Sequence, residues 1–429
     1  MDPARVHDAL AKLEAGEFYA EEHQIIFDAM AAMADENRTI DYISLKNELE
    51  RRGKLKQIRN GAVYIVGLTD GIPAGMNVDA YADIVKDKAA MRRLIKVSSE
   101  TVQKGISGTH ESDELLEEVM GELYDLAETR TRGDLVPIGA VVETSYKNLE
   151  KRGENRAEVT GIPTGFGLFD KITRGLKPGE YCLIAARPGC GKTTFSLNVA
   201  AHAGIREKKK VAVFSLEMGL IQLSDKIMCA EAGVDFHRFG TGNILKNEHK
   251  NEWEDLAKAA AAISEAPIWL CERAELTMTQ LRAMCHQMKA RNGLGLVIVD
   301  YIQLLSAGQR IESRYQEVSL ISRKMKVLAQ ELQIPVLVPC QLNRAIEHGK
   351  GREPELSDLR ETGSLEQDAD MVMFLHKQEE EGISEEQERL GGPVKLLLKK
   401  NRNGATGAVD LVFAKSITKF YGQAMGCQF

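Results

Sequence analysis

The chain has 429 residues, too many for one ordinary hydrophobic core, so two or three domains are expected. Hydrophobic residues make up 43% and charged residues 28%, the balance of a soluble globular protein, and no apolar run is long enough to span a bilayer. A formal net charge of -7 argues against a protein that coats nucleic acid with its whole surface, but it permits a local basic channel.

Residues 1–100 read as an all-helical domain. "EEHQIIFDAMAAM" puts His23, Ile26, Phe27, Met30 and Met33 on one helical face, the pattern of a packed core. "SLKNELERRG" reads as a helix capped by Ser44 and stopped at Gly53. "NVDAYADIVKDKAAMRRLI" repeats the helical period. Acidic helices follow over 101–130, until Gly133 and Pro137 break the pattern. Residues 131–160 then read as a linker holding one amphipathic helix, "IGAVVETSYKNLEKRG", so 101–160 forms a helical extension and linker.

From 161 to 429 the character changes. "YCLIAA", "VAVFSLEM", "APIWLCE", "LGLVIVDYIQLL", "IPVLVPCQL" and "DMVMFLH" alternate with helical stretches, which predicts an α/β domain with a mainly parallel central sheet. "KQEEEGISEEQERLGG" (377–392) reads as a charged surface insertion. The seven cysteines form no Cys-x-x-Cys pair, and the nine histidines show no His-Glu-x-x-His spacing, so zinc ribbons, disulfide frameworks and zinc-protease chemistry are not expected. The N-terminus lacks a signal-peptide pattern, and a cytoplasmic location is the expectation.

"AARPGCGKTTFSLNVA" stands between the first apolar strand and a helix. It matches G-x-x-x-x-G-K-[ST] except that Ala186 replaces the first Gly. In such a loop, successive backbone N–H groups and the helix N-terminus cradle phosphates. Arg187, Pro188, Gly189, Cys190, Gly191, Lys192, Thr193 and Thr194 are therefore the expected nucleotide-binding residues, with Lys192 reaching the β/γ-phosphates and Thr193 holding Mg²⁺. Asp300, at the end of "LGLVIVD", fits the second Mg²⁺-ordering acid, and ATP with Mg²⁺ is the implied cofactor pair. Glu217 ends "VAVFSLE", where a carboxylate can polarise an attacking water. Gln341 closes "IPVLVPCQ", where a neutral amide can sense the γ-phosphate.

Near the C-terminus, "LLLKKNRNGATGAVDLVF" reads as two strands joined at Asn403-Gly404, a tight left-handed turn. Lys399, Lys400 and Arg402 crowd that turn. Cations this dense are either fully solvated or face an anion.

"GIPTGF" (161–166), "ARPGCGKT" (186–193), "FSLEM" (214–218), "VIVDYIQLL" (297–305), "CQLNR" (340–344), "LSDLRETGSLEQDAD" (356–370) and "KNRNGATG" (400–407) together resemble the bacterial and phage replicative DNA helicases of the DnaB type. "FYAEEHQIIFDAM" and "MNVDAYADIVKDKAAMRRLI" resemble that family's N-terminal helical domain, so the likeness covers nearly the whole chain. The resemblance implies a RecA-like motor at 161–429 behind a helical collar at 1–100. It also implies a homo-oligomer in the form of a hexameric ring, translocation 5′ to 3′ on single-stranded DNA, and primase and helicase-loader partners in the cytoplasm at the nucleoid. The family usually carries a further helix with an "AEQ" signature before this start, so a collar lacking its first helix is the expectation. By the same resemblance, Lys400 and Arg402 form an arginine-finger segment that reaches the γ-phosphate of the adjacent subunit, and Arg360, Glu361 and Gly363 belong to a loop on single-strand phosphates. "SAGQRIESRYQE" (306–317) and "RETGS" (360–364) are expected as polar loops at the same sheet edge as the phosphate site. A RecA/RadA-type recombination ATPase is the alternative from a different functional class. A non-enzymatic paralogue is weaker, because every catalytic position is chemically competent.

Overall fold

Every one of the six residues Tyr181–Ala186 is buried in the strand they form, β1. A strand without a polar face needs cover on both sides, which is the situation of a parallel sheet between helical layers. The computed structural model describes residues 3–36, 38–68, 78–108, 111–131, 137–155, 159–245, 250–308, 311, 313–342, 352–362, 364–377 and 391–422. The chain divides into two units, Met1–Leu135 and Val136–Phe429.

The first unit is helical: α1 (Pro3–Lys12), α2 (Glu21–Asp35), α3 (Tyr42–Arg51), α4 (Ala62–Gly67), α5 (Val78–Ser107) and α6 (Ser112–Thr131). Ile26, Ala29 and Met33 of α2 pack with Leu45 and Leu49 of α3 and Ile65 of α4. His23 and Met30 stay at the margin of that core, where His23 Nε2 lies 2.9 Å from the Tyr64 hydroxyl. The cap of α3 is Asp41 rather than Ser44. Asp41 Oδ1 accepts from Ser44 N at 2.8 Å, and Ser44 Oγ accepts from Asp41 N at 2.9 Å. The reciprocal bond extends the helix one turn further back than an isolated serine suggests.

The second unit contains α7 (Ile138–Asn155), α8 (Gly167–Thr173), α9 (Lys192–Ala201), α10 (Leu220–Ala232), α11 (Phe236–Gly240), α12 (Lys250–Ser264), α13 (Met278–Asn292), α14 (Arg314–Leu332) and α15 (Leu365–Asp368). The remaining strands are β2 (Val211–Ser215), β3 (Ile268–Glu272), β4 (Leu296–Asp300), β5 (Val336–Gln341), β6 (Met371–Lys377), β7 (Gly392–Asn401), β8 (Gly407–Ala414) and β9 (Lys419–Gly422). They form a nine-stranded sheet in the order β3-β2-β4-β5-β1-β6-β7-β8-β9. β1 to β6 run parallel, and β7, β8 and β9 add an antiparallel extension. Along β1 the side chains alternate between two cores. Tyr181, Leu183 and Ala185 meet α13 and α14 through Cys285, Ile321 and Met325. Cys182, Ile184 and Ala186 meet α9 and α10 through Phe195, Leu223 and Ile227. The mainly parallel α/β sheet and the helical N-terminal region are thus as the sequence reading expected.

Three local expectations are corrected. β7 and β8 are joined by residues 402–406, and neither Asn403 nor Gly404 has a positive φ. Side chains hold this longer connection instead: Asn401 Nδ2 donates to Ala405 O at 3.0 Å, and Asn403 Nδ2 donates to Glu180 Oε1 at 2.8 Å. Residues 306–317 are not one loop. Ser306 pairs with Thr277 in a β-bridge, and α14 already begins at Arg314. Finally, the charged insertion at 378–390 lies outside the described residues.

Candidate active site

In parallel α/β sheets, ligand chemistry collects where the strands end. Lys192, Thr193, Asp300, Glu217 and Gln341 are all carried at that edge. Ala186, the last residue of β1, is in register with Gln341 of β5, and Ser215 of β2 is in register with Asp300 of β4. The chain turns from β1 into α9 through Arg187–Gly191. Gly189 and Gly191 adopt φ of 79° and 87°, the left-handed region that costs other residues strain. Gly191 also rests on an aromatic floor. A Cβ there would lie 2.9 Å from Phe420 Cζ and 3.0 Å from Phe413 Cε1, and those two rings stack 4.3 Å apart.

Lys192 opens α9, and its Nζ lies 4.6 Å from the centre of the Tyr301 ring. Asp300 is buried, and burial pushes its carboxyl pKa up, while a hydrogen bond from the Thr193 side chain and the nearby Lys192 charge pull it down. Its Oδ1 has no hydrogen-bonding partner. A buried carboxylate oxygen left open beside a threonine hydroxyl fits a hard cation with oxygen ligands, as Mg²⁺ requires.

Glu217 is exposed and lies two residues beyond the end of β2, not on the strand. Its bend is fixed all the same. Leu216 N donates to Asp300 O at 2.9 Å, and Ser215 Oγ accepts from Met218 N at 3.0 Å and donates to Met218 O at 2.7 Å. Glu217 is thereby carried on the same frame as Asp300. Gln341 ends β5 as expected, and Gln303 clips its backbone from the following 3-10 turn: Gln303 Nε2 donates to Gln341 O at 3.2 Å, and Gln341 N donates to Gln303 Oε1 at 3.4 Å.

Sequence reasoning missed Tyr301, Gln303 and Lys226. A tyrosine directly after the strand-ending aspartate, and a glutamine inside the apolar "YIQLL", were the available signals. Lys226, on α10, senses both Asp300 and Glu217. Burial lowers its pKa, and the two carboxylates act in the opposite direction. Its position is set by the fold of α10, whose first backbone N–H donates to Glu272 at 2.9 Å, and no local sequence pattern announces it.

The basic hairpin lies elsewhere. β7 runs antiparallel to β6, so Lys400 and Asn401 pair with Val372 and Met371 at the start of the parallel strands. That is the edge opposite Lys192, at the far end of the six residues of β1, roughly 17 Å away at the usual strand rise. Within this chain the cations have acceptors. Lys399 lies 3.6 Å from Glu353, and Lys400 Nζ donates to Glu366 O at 2.6 Å and Gln367 O at 3.3 Å. Arg402 donates to Gln367 O at 2.5 Å and to Asp370 Oδ1 at 3.4 Å. Lys400 and Arg402 therefore close the C-terminal end of α15, where free carbonyls attract cations.

Arg360 and Glu361 fall in a 3-10 helix, Leu356–Thr362, rather than a loop, and Gly363 lies outside the described residues. The segment after them does not stay at the phosphate edge. Ser364 N donates to Ser319 Oγ on α14 at 3.3 Å, and by Asp370, on Lys326 at 2.6 Å, the chain has reached the opposite edge.

This arrangement coincides with a known family. Residues 161–422 match the family model described as the DnaB-like helicase C terminal domain, and residues 1–87 match the DnaB-like helicase N terminal domain. The chain is 35% identical over 421 residues to a "Replicative DNA helicase DnaB" of Geobacillus stearothermophilus, covering 98% of this chain and 91% of that protein. It is 33% identical over 421 residues to a "Replicative DNA helicase DnaC" of Bacillus subtilis (strain 168), with 98% and 91% covered. A solved DnaB-like replicative helicase, described with its interactions with primase, superposes with a TM-score of 0.73 at 26% identity over 98% of this chain and 100% of the other. A second solved structure, described as an ATPase domain, superposes with a TM-score of 0.61 at 30% identity over 68% of this chain and 100% of the other. The recombination-ATPase alternative is not favoured by these likenesses. The chain belongs to the DnaB-like replicative DNA helicases, and its activity is that of an ATP-dependent DNA helicase.

Proposed function

We propose that this chain moves 5′ to 3′ along single-stranded DNA as a homohexameric ring and parts the duplex at the replication fork, hydrolysing ATP at sites shared between neighbouring subunits. The observation that carries the reading is the division of labour across one sheet. The phosphate loop, Asp300, Glu217 and Gln341 gather at one edge, and Lys400 and Arg402 stand at the other. Arg402 therefore cannot serve its own phosphate loop and suits a neighbour's.

In the proposed reaction, Arg187–Gly191 and the N-terminus of α9 hold the phosphates through backbone N–H groups, Lys192 leaves the Tyr301 ring for the β/γ-phosphates, and Thr194 continues the cradle. Thr193 and Asp300 would hold Mg²⁺, which would supply charge neutralisation for the phosphates. Glu217 takes a proton from the attacking water, and Gln341 senses the γ-phosphate. Arg402 of one subunit, aided by Lys400, stabilises the transferring phosphoryl group of the next, for which a planar guanidinium is well shaped. Arg360, Glu361 and Gly363 are proposed to meet the DNA backbone, a contact without sequence information and so compatible with movement along any strand. A primase and a loader are the proposed protein partners, the primase because a solved relative is described with one. The proposed divisions are a collar at 1–100, an extension and linker at 101–160 and a motor at 161–429. The nucleoid in the cytoplasm is the proposed location. Among the described residues no helix is long and apolar enough to cross a membrane.

The test mixes two inactive variants in one assembly. Lys192→Ala lacks a working phosphate loop but offers Arg402, and Arg402→Ala has the reverse defect. Removing an arginine finger typically costs about 10³–10⁵ in kcat. After subunit exchange, mixed assemblies should regain part of the ATPase activity that neither pure variant shows. Unchanged turnover in pure Arg402→Ala protein refutes the shared site.

A further inference from the structure

Asp370 is a buried carboxylate whose partners come from three elements. Its Oδ2 accepts from Tyr181 N, the first residue of β1, at 2.8 Å and from Lys326 Nζ of α14 at 2.6 Å. Its Oδ1 takes Arg402 at 3.4 Å, and its backbone O accepts from Arg402 N at 2.9 Å. Two cations therefore share one carboxylate. Lys326 is the better shielded, 17% exposed in its side chain, whereas Arg402 is 47% exposed. Arg402 is thus held, but at the weaker of the two positions. Its remaining bond goes to the carbonyl of Gln367, and Lys400 binds the carbonyls of Glu366 and Gln367. Lys400 and Arg402 both sit on α15, the four-residue helix Leu365–Asp368, which follows the 3-10 helix Leu356–Thr362 that carries Arg360 and Glu361.

We propose that Asp370 is the positioning residue for Arg402: it docks the guanidinium against α15 in its own subunit, and engagement of DNA by the segment before α15 releases Arg402 to the neighbouring subunit's phosphate. This rests on the readings that Arg402 completes the neighbour's site and that the segment before α15 meets DNA. A guanidinium cannot hold Gln367 O and a distant phosphate at once, so docking and reaching exclude each other. A shift of α15 removes the carbonyl acceptors of both cations together. The result is a link from DNA to ATP turnover that runs through one short helix. The backbone bond from Arg402 N to Asp370 O uses neither side chain, so it can keep the turn in place while the guanidinium changes partner.

The test measures ATP turnover of the full-length chain, with and without single-stranded DNA, in Asp370→Asn, Lys326→Met and Arg402→Ala forms. Circular dichroism and gel filtration verify fold and assembly. Asp370→Asn loosens the dock, so DNA-free turnover should rise roughly two- to fivefold, the scale of a partly exposed ion pair, and stimulation by DNA should shrink by a similar factor. Lys326→Met leaves Asp370 to Arg402 alone, so DNA-free turnover should fall and stimulation should grow. A purely structural role moves both variants the same way, and that result overturns the dock while leaving the shared site standing if Arg402→Ala is inactive. Normal turnover in Arg402→Ala overturns the shared site and the dock with it. If Asp370→Asn does not fold, Lys326→Met decides: unchanged or weaker stimulation refutes the proposal.

Discussion

In the proposed mechanism, Lys192 and Glu217 act on different states of the same nucleotide. Lys192 faces charge that ATP already carries, so Lys192→Ala should weaken nucleotide binding and turnover together. Glu217 is proposed to act on water during the reaction, so Glu217→Gln should bind ATP nearly as the parent does and turn over slowly. Equilibrium binding and steady-state ATPase separate the two, and near-normal turnover in Glu217→Gln removes that residue from the mechanism. Glu48 shows a carboxylate used for stability instead. It is 1% exposed and takes Arg38 at 2.6 Å, Arg51 at 2.8 Å and Arg52 at 2.7 Å. The hydrogen bonds from Arg51, Arg52 and Arg38 hold its pKa far below the ordinary glutamate value, which is about 4.3. A depressed folded-state pKa contributes stability that is present above the unfolded value and is lost as pH falls through the folded one. The N-terminal unit should therefore lose thermal stability progressively below about pH 4, and Glu48→Gln should melt earlier at neutral pH with a flatter acid response. Scanning calorimetry across that range checks it, and a parent-like acid response in Glu48→Gln removes Glu48 as the cause.

Elements show why a phosphate loop depends on residues far from it in sequence. Gly191 lies on Phe413 and Phe420, supplied by β8 and β9 more than 200 residues later. Gly191→Ala must fit a Cβ 2.9 Å from Phe420 Cζ at a φ of 87°. Strain of this kind is about 1–3 kcal/mol, so nucleotide affinity should fall roughly 5- to 150-fold. Titration with a fluorescent ATP analogue measures it, and unchanged affinity means that the aromatic floor yields. The loop itself was legible in the sequence, because glycines, lysine and threonine at fixed offsets between a strand and a helix satisfy a local backbone geometry. Asp300 and Gln341 were legible for the same reason, as polar residues that close apolar strands. Glu217 was singled out in the sequence, but its place off the strand was not legible, since the Ser215 to Met218 bond that makes the bend is side-chain chemistry no periodicity reports. The aromatic floor, Lys226 and the docking of Arg402 on α15 were invisible because each joins segments through the sheet order. The Asn403-Gly404 turn was misread for the opposite reason. A favourable local dipeptide was overruled by Asn401, Asn403 and Glu180, which stabilise a longer connection.

At the scale of the whole molecule, a net charge of -7 leaves DNA binding to local cations. Affinity for unrelated single strands should be similar and should fall steeply with salt, since phosphate contacts release counterions and carry no sequence information. Fluorescence anisotropy at rising salt tests this, and strong discrimination among strands or a flat salt response counts against the proposed DNA contacts. The placement of Lys192 and Arg402 on opposite edges of one sheet has a further consequence for assembly. On the proposed shared site, each subunit would be directional, a giver at one edge and a receiver at the other, so contacts between copies would be head-to-tail and would close into a ring only if the rotation allows. A closed ring of n subunits completes n sites. A ring opened at one joint completes n − 1, because the receiver at the gap has no giver. Opening the ring around DNA would silence the site at the gap without any inhibitor, and closing it would restore that site, so the count of working sites itself would report whether the strand is enclosed.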